Sequence, residues 1–430
     1  MRRRDFIALL GTTMAMPALM LGRSRAEELG KTDWKAHKGT TLNLFLSRHP
    51  WQEAIEPLLP AFEDLTGITV QASKLPEQQY LTKVVTDLSA KAFQQDVFMT
   101  QYYEAPRFQA EGWTADLKPL MDKAALTDPA WYDWNDFFPS ARNIATIGRR
   151  YADRVALTSE AQILVYRKDV LSEASLPVPA DFDGLIKTAQ AISAKGPISG
   201  ITLRGGPTNW WPLYGVVRSY GGDYLDDKLT PVVASAESKA GLEAFAKLAA
   251  AAPQGVTSYD WDEINTAMLS GQAAMFLDSS VIYGRLQDPK LSTVTGKVAA
   301  APFPTGPGGR HGHSHYWSIS IASASRNPEA AWLFVQWATS KATQLALARK
   351  GIFPPRTSVA QSPELEATFG KDFLSAVGTS LASAVISPAN LKFNELMDPL
   401  RAATQEVILG NTDASAALDG VEEQWKRILA

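Results

Sequence analysis

Apolar and polar positions divide this chain into short strands and amphipathic helices. "TTLNLFLS" (40–47) is an apolar run of strand length. In "PWQEAIEPLLPAFEDLTG", which follows, Trp51, Ile55, Leu58, Leu59, Phe62 and Leu65 recur at helical spacing. Pro57 and Pro60 predict a kink or a late helix start, Gly67 predicts the stop, and "ITVQASKL" resumes as a strand. Together these segments predict a βαβ unit.

A second helical pattern covers 78–93, and "DVFMT" (96–100) is a short strand. "VALTSEAQILVYR" (155–167) is apolar but for one Glu and predicts a strand crossing between two lobes; "AAMFLDS" (273–279) predicts a return crossing. Helical patterns fill 181–195 and 236–251, and "KVAAAPFP" (297–304) and "YWSISIAS" (316–323) read as strands. From Asn327-Pro328, a cap with proline at the first helical position, the pattern is helical to the end. No repeat or Pro/Ser linker separates independent domains. The expectation is an α/β fold of two lobes with a cleft between them and a helical C-terminus. The expected division is 27–156 plus 280–325 for the N-terminal lobe and 157–279 plus 326–430 for the C-terminal lobe.

One stretch breaks both periodicities. "LRGGPTNWWPLYG" (203–215) crowds Arg204, Asn209, Trp210 and Trp211 among glycines and prolines. It predicts a loop forming part of the wall for a polar ligand with apolar faces.

Composition narrows the function. The 430 residues carry a net charge of −3 with no basic run, which argues against a nucleic-acid partner. There is no cysteine, excluding disulfides, thiol catalysis, Cys-zinc sites and a lipidated N-terminal Cys. At the N-terminus, Arg3-Arg4-Asp5-Phe6 precedes an apolar run from Phe6 to Leu21 and a small-residue site, Ser24-Arg25-Ala26. This predicts a twin-arginine signal peptide over 1–26 and a protein exported to the periplasm.

Several stretches, taken in order, resemble the family 1 extracellular solute-binding proteins, which deliver sugars and polyols to ABC importers. They are "LLPAFEDLTGITVQ", "EAQILVYRKDVLSEASLPVPADFDGLIKTAQAIS", "MLSGQAAMFLDS", "KVAAAPFPTGPGG" followed by "NPEAAWLFVQWATS", and "GIFPPRTSV". "GITLRGGPTNWW" and "SYGGDYLDD" are similar to the polyol-binding branch, although the aromatic spacing departs from it. The resemblance implies a type II-like periplasmic-binding-protein clamp whose two lobes close over the ligand. It further implies no catalysis, no cofactor, a monomer, and docking on ABC importer permease subunits.

A carbohydrate offers hydroxyls in its ring plane and weakly apolar C–H faces. A site for it needs aromatic platforms and a fan of charged or bidentate hydrogen-bonding groups. Trp210 or Trp211, one facing the cleft and its neighbour packed inward, and Trp317 are expected platforms. Arg204, Asn209, Glu160 and Asp278 are the expected hydrogen-bonding groups, with a structural pairing of Arg204 and Asp223 as the alternative. Glu160 interrupts an apolar strand, where a carboxylate is costly unless paired or solvated. Ser47, Arg48, His49 and Trp51 follow the first strand, and Tyr102, Tyr103 and Glu104 follow the 96–100 strand. Both groups stand where a parallel sheet opens into a crevice. Tyr316 joins Trp317 as a candidate.

Two other chemistries compete. His311, His313 and His315 alternate in "RHGHSH" and share one face if extended, as a metal-binding clamp would need. Glu160 and Asp278 are the carboxyl pair a glycoside hydrolase would need. There is no GxSxG, P-loop or HExxH. The expected metal and catalytic sets are both empty.

Overall fold

The apolar run at the start is strand β1 (Thr41–Ser47), flanked in parallel by β2 (Thr69–Leu75) and β3 (Val97–Gln101) in a computed structural model that describes residues 29–147 and 151–430. The expected signal segment, 1–26, lies outside the described residues. Between β1 and β2 the helix breaks at its prolines into Pro50–Ile55, a tight turn, and Leu59–Thr66, and Gly67 ends it at φ 71°. Strand β4 (Val155–Ala156) lies at the far edge of this sheet, next to β9 (Trp317–Ile321), giving the order β2-β1-β3-β9-β4. In the second sheet β5 (Glu160–Arg167) lies between β6 (Met275–Ser279) and β7 (Val298–Ala301), and also pairs with β8 (Ser314–His315).

The run expected as one crossing strand is two. The chain leaves the first sheet after Ala156 and enters the second at Glu160. Its antiparallel partner makes the same passage between His315 and Trp317. Val155 pairs with Ile319 on one side and Glu160 with His315 on the other, while the Leu157 amide donates to the Trp317 carbonyl at 2.7 Å between them.

Strand pairing and helix packing distribute the later segments between the two sheets. β7 and β8, expected in the N-terminal lobe, pair with β5 in the second sheet. Helix Pro328–Ala338, expected in the C-terminal lobe, packs on β9, and Lys341–Ala348 packs on Pro50–Ile55. The chain returns to the second lobe with Lys371–Leu381, which packs on β5 and β7. Phe393–Ile408 and Ala414–Leu429 complete that lobe. Apolar runs such as "KVAAAPFP" and "YWSISIAS" identify strands, but their pattern does not say which sheet receives them.

The 203–215 stretch is also corrected: Trp210–Tyr220 is a helix. Pro212 is tolerated at its third position, where a backbone N–H has no partner within the helix. Gly215 is needed for close approach. A Cβ there would lie 2.1 Å from Gln162 Oε1 and 2.9 Å from the His313 amide nitrogen. Gln162 tethers this contact, accepting from the His313 amide (2.9 Å) and donating to the Pro212 carbonyl (3.1 Å).

In a free helix Gly→Ala stabilises by up to about 1 kcal/mol. Here the crowding dominates, so Gly215→Ala is expected to destabilise by about 1–3 kcal/mol in urea denaturation. A neutral or stabilising result would mean that this helix is not seated tightly on the crossing strands.

Candidate functional site

Where the two segments cross between the sheets they enclose a cavity of about 20 Å³. A single water needs roughly 10–15 Å³ by this measure, so the cleft is closed. The first lobe contributes His49, Glu77, Gln101, Tyr103 and Trp317; the second contributes Glu160, Arg204, Thr208, Trp210, Trp211, Trp261 and His315.

Local structure fixes each group. His49 caps the Pro50–Ile55 helix, its Nδ1 accepting from the Trp51 amide at 3.1 Å, which leaves Nε2 facing Glu160 Oε1 at 3.1 Å. Gln101 ends β3, and Glu77 opens the Glu77–Ser89 helix just after β2. Asp260 caps the Trp261–Leu269 helix through a capping box, holding Trp261 at its first position.

Arg204 is the most constrained of them. Its Nε and Nη2 donate to the two oxygens of Asp278 at 3.0 and 2.8 Å, and its Nη1 donates to Thr208 Oγ1 at 3.1 Å. The guanidinium carbon lies 5.2 Å from the Trp211 ring centroid and 5.1 Å from that of Trp261, a cation–π contact on each side. Burial opposes its charge, but Asp278, Glu77 and Asp260 outweigh burial and hold the group protonated.

Glu160 accepts from Thr158 Oγ1 (2.8 Å) and Ser279 Oγ (2.5 Å). Burial pushes its carboxyl up, but His49, His315 and Ser279 outweigh it and bring the value down to about 2. Glu77, 3.9 Å from Arg204, goes the other way: burial, reinforced by Asp260, Glu160 and Asp278, raises it to about 8. His315 is lowered to about 4 by burial and stays neutral near pH 7. Among the described residues, Gln101 Oε1 and His315 Nδ1 are buried without a hydrogen-bond partner. Aromatic faces, fixed charges and unused polar atoms thus converge from both lobes, the composition of a small-molecule binding site.

Of the candidates from sequence, His49, Tyr103, Glu160, Arg204, Trp210, Trp211 and Trp317 meet at this cavity. Trp210 and Trp211 both line it, rather than one alone, because the helical turn places them on adjoining walls. The other candidates lie elsewhere. Arg48 is exposed and lines an outer groove. Ser47 is buried at the end of β1, and Trp51 is fully buried in the core. The Tyr102 hydroxyl is bound to His313 Nε2 (2.9 Å) and Ser387 Oγ (2.8 Å). Glu104 faces a neighbouring chamber. Asn209 is buried and donates to the Arg401 carbonyl at 3.1 Å. Asp278 is buried behind Arg204 and positions it, whereas Asp223 pairs with Arg218. Tyr316, between two inward neighbours, turns the opposite way and meets Ser140 Oγ at 2.7 Å.

Glu77, Gln101, Thr208 and Trp261 line the cavity without having been expected, and His315, expected only as a metal-ligand candidate, joins them. Gln101 ends one parallel strand and Glu77 lies two residues past another, the same sheet edge that points to His49 and Tyr103. The histidine row does not act together. His311 binds the Ser383 and Gly308 carbonyls, and His313 binds the Trp211 carbonyl and Tyr102. Among the described residues no cluster of three or more His, Asp or Glu could hold a metal ion. Glu160 and Asp278 do not share a space, since Asp278 is taken up by Arg204.

The family model for bacterial extracellular solute-binding proteins matches residues 49–345. The chain is 29% identical over 394 residues to an erythritol/L-threitol-binding protein of Mycolicibacterium smegmatis, covering 83% of this chain and 82% of that one. It is 27% identical over 383 residues to a probable amino-acid ABC transporter periplasmic-binding protein of Sinorhizobium fredii, covering 85% and 84%. The crystal structure of an ABC transporter solute-binding protein from Agrobacterium radiobacter K84 in complex with ribitol superposes with a TM-score of 0.81. Identity is 26%, and the match covers 91% of this chain and 99% of that one.

The shifted groups give stability a defined pH profile. His313 (lowered by burial to about 3) and His315 (about 4) lie below the ordinary 6.5, so the unfolded chain binds more protons and stability falls as pH drops below 6.5. Glu160 adds to that loss below its ordinary 4.5. Glu77 (about 8) and Glu104 (raised by burial to about 7) lie above 4.5, so their contribution is lost as pH rises toward 8. Between 4.5 and 6.5 the two histidines and these two acids act in opposite directions. The melting temperature should therefore be highest on the acid side of neutrality and decline above pH 6.5 and below 4.5; a rise from pH 6.5 to 8 would contradict these assignments.

Proposed function

The chain belongs to the bacterial extracellular solute-binding protein family, and on that premise we propose that it is the receptor of an ABC importer for a small carbohydrate or polyol. The ligand is captured in the cavity between the lobes and delivered to the membrane permease. One observation carries this reading: indole faces and charged hydrogen-bonding groups from both lobes converge on a single cavity. Trp210, Trp211 and Trp317 supply platforms for C–H faces. Glu160, Arg204, Gln101 and His315 supply acceptors and donors for hydroxyls. These groups surround a ligand only when the lobes are together, so the ligand's differential affinity for the closed state drives closure. The protein acts as a monomeric carrier without catalysis, exported by the twin-arginine route and free in the periplasm. Support for a carrier comes from the family and its relatives, which are binding proteins.

A thermal-shift screen over polyols, monosaccharides, oligosaccharides and amino acids identifies the ligand, since a tight ligand stabilises in proportion to the logarithm of its concentration over Kd. A polyol or sugar is expected to give the largest shift; a response to amino acids alone would reject the reading. For the ligand so found, Trp211→Ala and Glu160→Gln should each weaken calorimetric affinity by about 1–3 kcal/mol, roughly 5- to 150-fold, without unfolding the protein. Unchanged affinity in both variants would put the binding site elsewhere.

A further inference from the structure

A second space of about 230 Å³ adjoins the central cavity, between the Glu77–Ser89 and Phe393–Ile408 helices. Tyr103, Thr208 and Trp210 line both spaces, so they form the wall between them. Phe393 backs that wall from the outer side. The Tyr103 ring stacks on Phe393 (centroids 4.5 Å apart, 25° between planes) and meets the edge of Trp210 (5.0 Å, 83°). Phe393 and Trp210 close the triangle at 4.9 Å and 78°. Tyr103 belongs to the first lobe and the other two rings to the second, so the wall is completed only when the lobes meet. The outer chamber is mixed in character. Leu81 and Val85 line it beside Gln78, Thr82 and Thr86, and Glu104, Asn394 and Arg401 add polar groups to the aromatic wall. That surface would suit hydroxyl groups if a ligand reached it.

We propose that the Tyr103–Trp210–Phe393 partition sets ligand length, confining this receptor to a single short polyol or monosaccharide and barring disaccharides from the outer chamber. The proposal rests on the carbohydrate reading above and deepens it. Without the partition the two spaces merge, and the polar groups of the outer chamber become available to a second sugar unit.

The test is isothermal calorimetry with erythritol, ribitol, mannitol, maltitol and maltose on the wild type, Phe393→Ala and Tyr103→Ala. Phe393→Leu serves as a variant that keeps a buried apolar side chain should the alanine variant not fold. The wild type should bind a member of the short series and neither disaccharide. The Phe393 and Tyr103 variants should shift the ratio of short to long affinities by at least about tenfold toward the long ligands. Short-ligand binding with an unchanged ratio in folded variants, or a wild type that binds maltitol or maltose as tightly as a short polyol, would overturn the partition while leaving the carrier reading intact. A wild type that binds none of the five ligands, while responding to amino acids, would overturn the carbohydrate reading and this proposal with it.

Discussion

Two antiparallel segments, 155–161 and 313–319, leave one sheet and enter the other side by side, and the rest of the site depends on this crossing. A strand that changes sheets must interrupt its ladder, and the interruption exposes its side chains to the gap between the layers. Glu160, His315 and Trp317 stand at that interruption. The acid that is costly inside an apolar strand is therefore at the one place where His49, Thr158 and Ser279 can compensate it. The same short spans connect the lobes, so movement of one lobe against the other converges on the residues that would hold the ligand.

The second organising element is Arg204. A buried cation without partners would cost several kcal/mol. Asp278 neutralises it in a bidentate pair, and the two indoles fix its plane. A group so held loses little further freedom on meeting a ligand, which is the advantage of a preorganised site. The arrangement also argues against a ligand chosen for negative charge. The guanidinium is already matched by Asp278, the ionised Glu160 faces the same cavity, and Arg48 points outward.

Much of this was legible in the sequence where local physics is decisive. The βαβ start, the proline-broken helix and the strand at 97–101 follow from spacing and breakers. Glu160 was legible because an isolated acid in an apolar run needs a reason. What failed was whatever depends on partners distant in sequence. Trp51 and Trp317 look alike in the chain, yet one fills a core and the other faces the cleft. Asp278 looked like a ligand group because its partner, Arg204, lies 74 residues away. The loop expected at 203–215 is a helix from Trp210 because Pro212 occupies a tolerant position and Gly215 a crowded one, and neither is apparent from composition. His315 was noticed for its neighbours in a row, whereas its place comes from pairing with Glu160.

The most direct test is a crystal structure of the protein with the tightest ligand from the screen. The expected electron density lies between the lobes, in contact with the Trp211 and Trp317 rings and within hydrogen-bonding distance of Glu160 and Arg204. Density in the outer groove beside Arg48, or anywhere that leaves these four side chains untouched, would contradict the claim that the crossing builds the binding site.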